Sequence, residues 1–212
     1  MTPTIRLHDI SKRIGSRWIL SRLSYDVPPG AAVMLTGDNG AGKTTLLKVM
    51  ATLWRPTFGK VELFGTLVKG SALEVRGRLG LMTHASHLYD AQTARENLRF
   101  VARMAGDDAV GRIDEVLERV GLSQHASRPV RGFSAGMKRR LIMARLLLKR
   151  AELVLLDEPW GQLDAGAISL MDDMIRTLKK AGTTLVIATH DIDRAEALCD
   201  TRLRLAHGRR VD

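Results

Sequence analysis

From residue 5 to residue 35 the apolar positions come in short, alternating runs. Ile19-Leu20, Leu23, Tyr25 and Val27 are separated by polar residues and stopped by Pro28-Pro29-Gly30. Period-two alternation closed by turn residues predicts antiparallel strands ending in a tight turn. Ala32-Val-Met-Leu-Thr36 is an unbroken apolar run that predicts a buried strand, followed by a glycine-rich loop and a helix starting near Lys43. Between Thr93 and Lys149 the period becomes helical: Leu98, Val101 and Ala102, then Ile113, Val116, Leu117 and Val120, then Leu141, Ile142, Arg145 and Leu146. This stretch reads as a helical insert. Beyond it two apolar runs, Leu153 to Leu156 and Thr184 to Ala188, flank a helix centred on residues 168 to 180, with Ile168, Met171, Ile175 and Leu178 on one face. Strands separated by helices imply a parallel sheet with right-handed crossovers. Chemistry is then expected beyond the carboxyl ends of those strands.

Composition narrows the class. A chain of 212 residues with 45% apolar content can bury one substantial core. Its apolar runs fall short of the roughly 20 residues needed to span a bilayer. The opening Met1-Thr-Pro-Thr-Ile-Arg has no signal-peptide character, and the single Cys199 cannot form an internal disulfide, so a reducing cytoplasm is expected. A net charge of +10 suits a phosphate backbone or an anionic membrane face. The cations are scattered, however: Lys12-Arg13, Lys138-Arg139-Arg140, Lys149-Arg150, Lys179-Lys180 and Arg209-Arg210 form no long run and read equally well as solvated surface. With no RNA-binding aromatic motif, zinc-ligand spacing or internal repeat, no nucleic-acid partner is expected.

Gly37-Asp38-Asn39-Gly40-Ala41-Gly42-Lys43-Thr44-Thr45 matches G-x-x-x-x-G-K-[ST] between a predicted strand and a predicted helix. Glycines let successive N–H groups turn inward around phosphates, and the helix N-terminus adds partial positive charge. Lys43 would meet the outer phosphates, and the Thr44 hydroxyl would meet a magnesium ion. The run Leu153 to Leu156 ends in Asp157 and Glu158, which alternation points in different directions. Asp157 would hold magnesium through water, and Glu158 would face the attacking water as general base. His190 follows the last apolar run; a lone histidine is more often structural, but here it would contact the terminal phosphate and hold water and Glu158 in register.

Phe133-Ser134-Ala135-Gly136-Met137-Lys138-Arg139-Arg140 opens a helix, with Ser134 as its natural N-cap. This segment resembles the LSGGQ-type signature of ATP-binding-cassette (ABC) ATPases, and the resemblance covers essentially the whole chain. It implies an α/β fold: a P-loop NTPase core with a mostly parallel sheet, an N-terminal antiparallel β subdomain and a helical subdomain. Residues 1–212 would form one ABC ATPase domain, with 1–83 and 151–212 as nucleotide-binding core and 84–150 as helical subdomain. It also implies ATP hydrolysis with Mg2+ and a head-to-tail homodimer, in which Ser134, Ala135, Gly136 and Met137 of one copy clamp the phosphate held by the other's cradle. Gly161-Gln162-Leu163-Asp164 resembles the loop that communicates across the dimer, and His190 resembles the family's switch histidine. Trp160 stands where a smaller residue is common, and interface packing and simple space-filling remain open for it.

Two positions depart from the family pattern. Ile14 occupies the place of the usual adenine-stacking aromatic, and Trp18 is the candidate substitute. His84 occupies the place of the magnesium-sensing glutamine, ahead of Leu88-Tyr-Asp-Ala-Gln-Thr93-Ala-Arg-Glu96-Asn97-Leu98, which resembles the lead into the helical subdomain. An imidazole can accept from metal-bound water or bind the ion, and it titrates near neutral pH. A cassette without membrane spans implies separate transmembrane permease subunits and a peripheral position on the cytoplasmic side of the membrane. The histidine, the length and the short C-terminus look like the ATPase subunit of haem exporters in cytochrome c maturation. Two alternatives stand beside it: another exporter, of drug, lipid or lipoprotein, and a non-transport ABC ATPase in translation or DNA repair. His84→Ala is expected to damage coupling more than ATP binding, and His87→Ala to change little; nucleotide titration alongside partner-stimulated turnover measures both.

Overall fold

The early alternation folds as a hairpin, β1 (Ile5–Ile14) and β2 (Arg17–Val27), paired from Ile5↔Val27 to Ile14↔Arg17. Our computed structural model of the chain describes residues 2–69, 72–83, 87–105, 107–161 and 163–211. The unbroken run forms β3 (Ala32–Thr36), and α1 (Lys43–Met50) follows the glycine-rich loop. Next come β4 (Phe58–Leu63), β5 (Thr66–Leu67), the short α2 (Leu73–Gly77) and β6 (Leu79–Met82). The helical stretch holds α3 (Ala94–Ala105), α4 (Asp107–Gly111), α5 (Ile113–Arg119) and α6 (Ala135–Lys149). The chain closes with β7 (Leu153–Asp157), α7 (Ala165–Lys180), β8 (Thr184–Ala188), α8 (Ile192–Glu196), β9 (Thr201–Ala206) and β10 (Arg209–Arg210).

Two sheets result. One is antiparallel with order β2-β1-β4-β5; the other has order β10-β9-β3-β8-β7-β6, parallel except for β10. Apolar runs without polar alternation are what a parallel sheet covered on both faces requires. Val33, Leu35, Leu153, Leu155 and Val186 face a core shared with the antiparallel sheet and α1. Met34, Val154, Leu156, Leu185 and Ile187 face a second core, which they share with Leu98, Leu117, Leu141 and Met171 of the helices. The described residues of the helical stretch therefore share one core with a face of the sheet. Among the described residues no helix is long and apolar enough to cross a membrane.

β4, β5, β6, β9 and β10 lie outside the expected strands. β6 has only four residues, and β9 buries Leu203 and Leu205 while Arg202 and Arg204 are exposed, a half-polar pattern unlike that of its parallel neighbour β3. β9 matters because it leads into a turn wedged between the hairpin and the glycine-rich loop. Gly208 N donates to Ala41 O at 3.1 Å, and its carbonyl accepts from Ser21 N at 2.9 Å. Gly208 has φ +74°, and a Cβ there would lie 2.2 Å from the Ile19 carbonyl oxygen. Gly208→Ala is expected to cost roughly 2 kcal/mol and lower Tm by roughly 4–8 °C for a chain of this length, as read by thermal denaturation. Gly77→Ala is the control, since a Cβ there meets nothing within 4 Å, and Tm should hold or rise.

Candidate functional site

Strand register decides which residues meet. Ala188 of β8 pairs with Leu35 of β3 on one side and with Asp157 of β7 on the other. The segments starting at Gly37, Glu158 and Thr189 therefore leave one edge of the sheet side by side, where ligands of such sheets bind.

The Gly37–Gly42 segment curls over that edge with little room beneath it. At Gly37 (φ +144°) a Cβ would lie 2.3 Å from the Leu205 carbonyl oxygen. Gly42, in left-handed conformation, caps α1 without any side-chain hydrogen bond, and the first turn of α1 carries no acid. By contrast Ser134, Asp164 and Asp191 accept N–H groups at the starts of α6, α7 and α8. An uncapped helix N-terminus lined by backbone N–H groups is a ready anion site. Lys43 is buried, its ammonium donating to Gly37 O at 2.6 Å and Asp38 O at 3.3 Å. Asp38, Asn39, Gly40 and Thr44 are exposed, whereas Ala41 and Thr45 are buried.

Asp157 is 1% exposed at the end of β7. Glu158 takes the left-handed conformation (φ +48°), strained for a residue with a side chain. Its Oε2 accepts from Thr189 Oγ1 at 3.2 Å and lies 2.9 Å from His190 Nδ1. The Glu158 side chain is 15% exposed and that of His190 78%. With the proton assigned to Nδ1, the imidazole donates to the carboxylate and Nε2 turns outward. Thr44 and Asp157 offer hard oxygen donors, and among the described residues no group of three or more His, Cys, Asp or Glu is arranged for a metal. Such a sparse oxygen set fits Mg2+, which commonly takes one or two protein oxygens and completes its shell with phosphate and water.

Arg139 was hidden from sequence reasoning inside the triplet Lys138-Arg139-Arg140. It is buried, and its guanidinium donates to the Glu158 carbonyl and, at 3.4 Å, to Gly161 O. Burial pushes its pKa down, opposed by the charges of Asp157 and Glu158. It thus clasps the backbone that holds Glu158 in its strained conformation. Trp160 is buried too, its Nε1 donating to Asp172 Oδ1 at 2.8 Å. Asp172 also accepts from Arg194 at 2.7 Å, and Arg194 reaches Asp191 at 3.2 Å. Only the spacing of Asp172 on the otherwise apolar face of α7 could have signalled this chain of contacts. Within this fold Trp160 therefore packs inward, tying the segment after β7 to the one after β8.

Ser134 and Ala135 are exposed, Gly136 and Met137 half-buried, and Ser134 Oγ accepts from Met137 N at 3.2 Å. Among the described residues no hydrogen bond joins 134–137 to 37–45 of the same chain. His84 lies outside the described residues, as does Gln162. The described segment from His87 to Asn97 is firmly held. Arg145 donates to the His87 carbonyl, Lys138 pairs with Asp90, and Asn97 bridges Tyr89 and Thr93. Thr93 and Glu96 form a capping box, whose hydrogen bonds hold the Glu96 carboxyl below its ordinary pKa. Ile14 and Trp18 do not meet: Ile14 pairs with Arg17 and Trp18 with Arg13, so their side chains leave opposite faces of the hairpin. Trp18 stacks on Phe58 at 6.0 Å, while Ile14 lies on the other face and Ile19 packs against Gly42.

Fold and sheet edge together define the class, a P-loop ATPase core carrying an antiparallel sheet and a helical segment. The chain belongs to the ABC transporter family, whose profile matches residues 20–161, and within it is an ATP-hydrolysing, nucleotide-binding component. It is 35% identical over 213 residues to the Nod factor export ATP-binding protein I of Ralstonia nicotianae, covering 99% of this chain and 66% of that protein. To the bacitracin transport ATP-binding protein BcrA of Bacillus licheniformis it is 38% identical over 201 residues, covering 94% of this chain and 66% of that one. The chain thus spans about two thirds of the length of these relatives. A solved ATP-binding subunit of an ABC transporter superposes with TM-score 0.91 at 27% identity, covering 98% of this chain and 88% of that chain. A dimeric, post-hydrolysis ATP-binding cassette bound to ADP and Pi has the same fold, with TM-score 0.89 at 24% identity over 98% of this chain and 97% of that chain.

The hairpin geometry yields a paired expectation. Ile14→Tyr should tighten ATP binding about fivefold by adding a stacking face, and Trp18→Ala should change it less than about twofold, in calorimetric titrations.

Proposed function

We propose that the chain is the energising subunit of an exporter, working as a head-to-tail pair beneath separate membrane subunits on the cytoplasmic side. The observation that carries the reading is the Glu158–His190 contact of 2.9 Å beside the uncapped start of α1. The phosphates of ATP would rest on the N–H groups of residues 37–45, with Lys43 exchanging its loop carbonyls for the outer phosphates. Thr44 and Asp157 would hold Mg2+, which supplies charge neutralisation between the outer phosphates. Glu158 takes the proton of the attacking water while His190 fixes the carboxylate's rotamer. The outward Nε2 of His190 is then free for the terminal phosphate.

One copy leaves the outer side of the phosphates uncovered, since Ser134, Ala135, Gly136 and Met137 are not joined to the cradle of their own chain. In a second copy the start of α6 would supply that cover, so hydrolysis requires the pair. In this reading residues 1–83 and 151–212 hold nucleotide, and 84–150 pass its state to the membrane subunit. His84 keeps its proposed place near Mg2+. The export assignment rests on relatives named for Nod factor export and bacitracin transport. They favour the second exporter reading, while haem export draws no support from these names.

Glu158→Gln should retain ATP affinity within a fewfold, trap an ATP-bound dimer in light scattering, and lower kcat by about 10²–10⁴. Hydrolysis at the unmodified rate would overturn the assignment of the base. Co-purification of the tagged chain with a multi-span membrane protein tests the export half of the reading.

A further inference from the structure

A second cavity, of about 450 Å³, opens beside the end of α1 remote from the glycine-rich loop. α1 has eight residues and so separates the two by about 12 Å. The floor is apolar, made by Val49, Val61, Leu67, Val68 and Ala72, and Trp54 forms part of the wall. Arg55, Lys60, Lys69 and Arg76 also line it, and among the described residues no carboxylate does. Lys48 and Lys12 lie over the Trp54 ring at 4.5 and 5.8 Å, adding positive charge at the same rim.

Part of this charge serves the fold. Arg76 donates to the hydroxyl and carbonyl of Thr52, at 2.9 Å each, and thereby holds Thr52 in a left-handed conformation (φ +59°) that a β-branched residue rarely adopts. Lys60 and Lys69 have no such task. They belong to the β4–β5 hairpin and its exit, and among the described residues neither is paired with a carboxylate. Like charges gathered around an apolar hollow repel one another and are stabilised by an anion. A volume within the range of small-molecule sites, an apolar floor and a cationic rim together specify the ligand's chemistry.

We propose that this cavity binds an anionic amphiphile, a phosphate or carboxylate head on a short apolar tail, independently of ATP. The head lies between Lys60, Lys69 and Arg76, and the tail lies on Val61 and Val68 beside Trp54. A lipid headgroup region and a free metabolite share this chemistry, and the test separates them.

The probes are octyl phosphate, inorganic phosphate, and vesicles of phosphatidylglycerol or phosphatidylcholine, read by tryptophan fluorescence and sedimentation. Octyl phosphate should bind saturably with a fluorescence change that Trp54→Phe abolishes. Lys60→Glu/Lys69→Glu should weaken it about tenfold, with unchanged ATP affinity. Lys60→Gln/Lys69→Gln, which removes the charge without reversing it, should show a smaller loss, and matched melting curves show that each variant is folded. Sedimentation with phosphatidylglycerol vesicles alone, lost in the same variants, identifies a lipid source; octyl phosphate binding without vesicle binding identifies a free anion. Unsaturable binding, equal binding by the charge-reversed variant, or inorganic phosphate binding as tightly as octyl phosphate overturns the proposal.

Discussion

The sheet edge depends on the register of three parallel strands. Leu35, Ala188 and Asp157 stand in one row, and everything brought together at the edge emerges one or two residues later. A slip of β7 by one residue would exchange Leu153 and Leu155 with Val154 and Leu156 between the two cores and carry Glu158 away from His190. Because both faces of the sheet are covered, such a slip disturbs two cores at once. The packing that stabilises the fold is therefore also what aligns the carboxylate, the imidazole and the glycine-rich loop.

Much of the positive charge works inside this frame. Lys12, Arg112, Arg139, Arg145, Lys149 and Lys179 each donate to a backbone carbonyl, of Arg55, Leu148, Glu158, His87, Leu79 and Leu198 respectively. Carbonyls at helix ends and in loops lack partners, and a long cationic side chain can reach them while its stem stays packed. Burial lowers the pKa of Arg139, Arg145 and Lys149, a measure of how far these cations have left water. The cavity beside α1 is where cations gather without carbonyls to serve at every position.

The segments after β7 and β8 are coupled from below as well as at the edge. Trp160 and Arg194 share the buried carboxylate of Asp172, and Arg194 continues to Asp191, one residue beyond His190. Arg139 adds a clasp from the helix that begins at Ser134. Its guanidinium joins that helix to the Glu158 carbonyl and to Gly161 O, at either end of the turn that follows β7.

Local signals made much of the fold legible. Alternation marked the first hairpin, unbroken apolar runs marked β3, β7 and β8, and helical period marked α3, α5, α6 and α7, each because one stretch of chain carries the whole pattern. The glycine-rich loop and the two carboxylates were legible for the same reason, since their chemistry needs neighbouring residues at fixed spacing. β6 was too short to declare a period, and β9 alternates because only one of its faces is covered, whereas both faces of β3 are buried. Arg139, Trp160, the Gly208 turn and the cation-lined cavity depended on contacts between distant segments. Only the tertiary structure decided them, because whether a lysine or arginine meets water, a carbonyl or an apolar hollow depends on what the rest of the chain brings beside it.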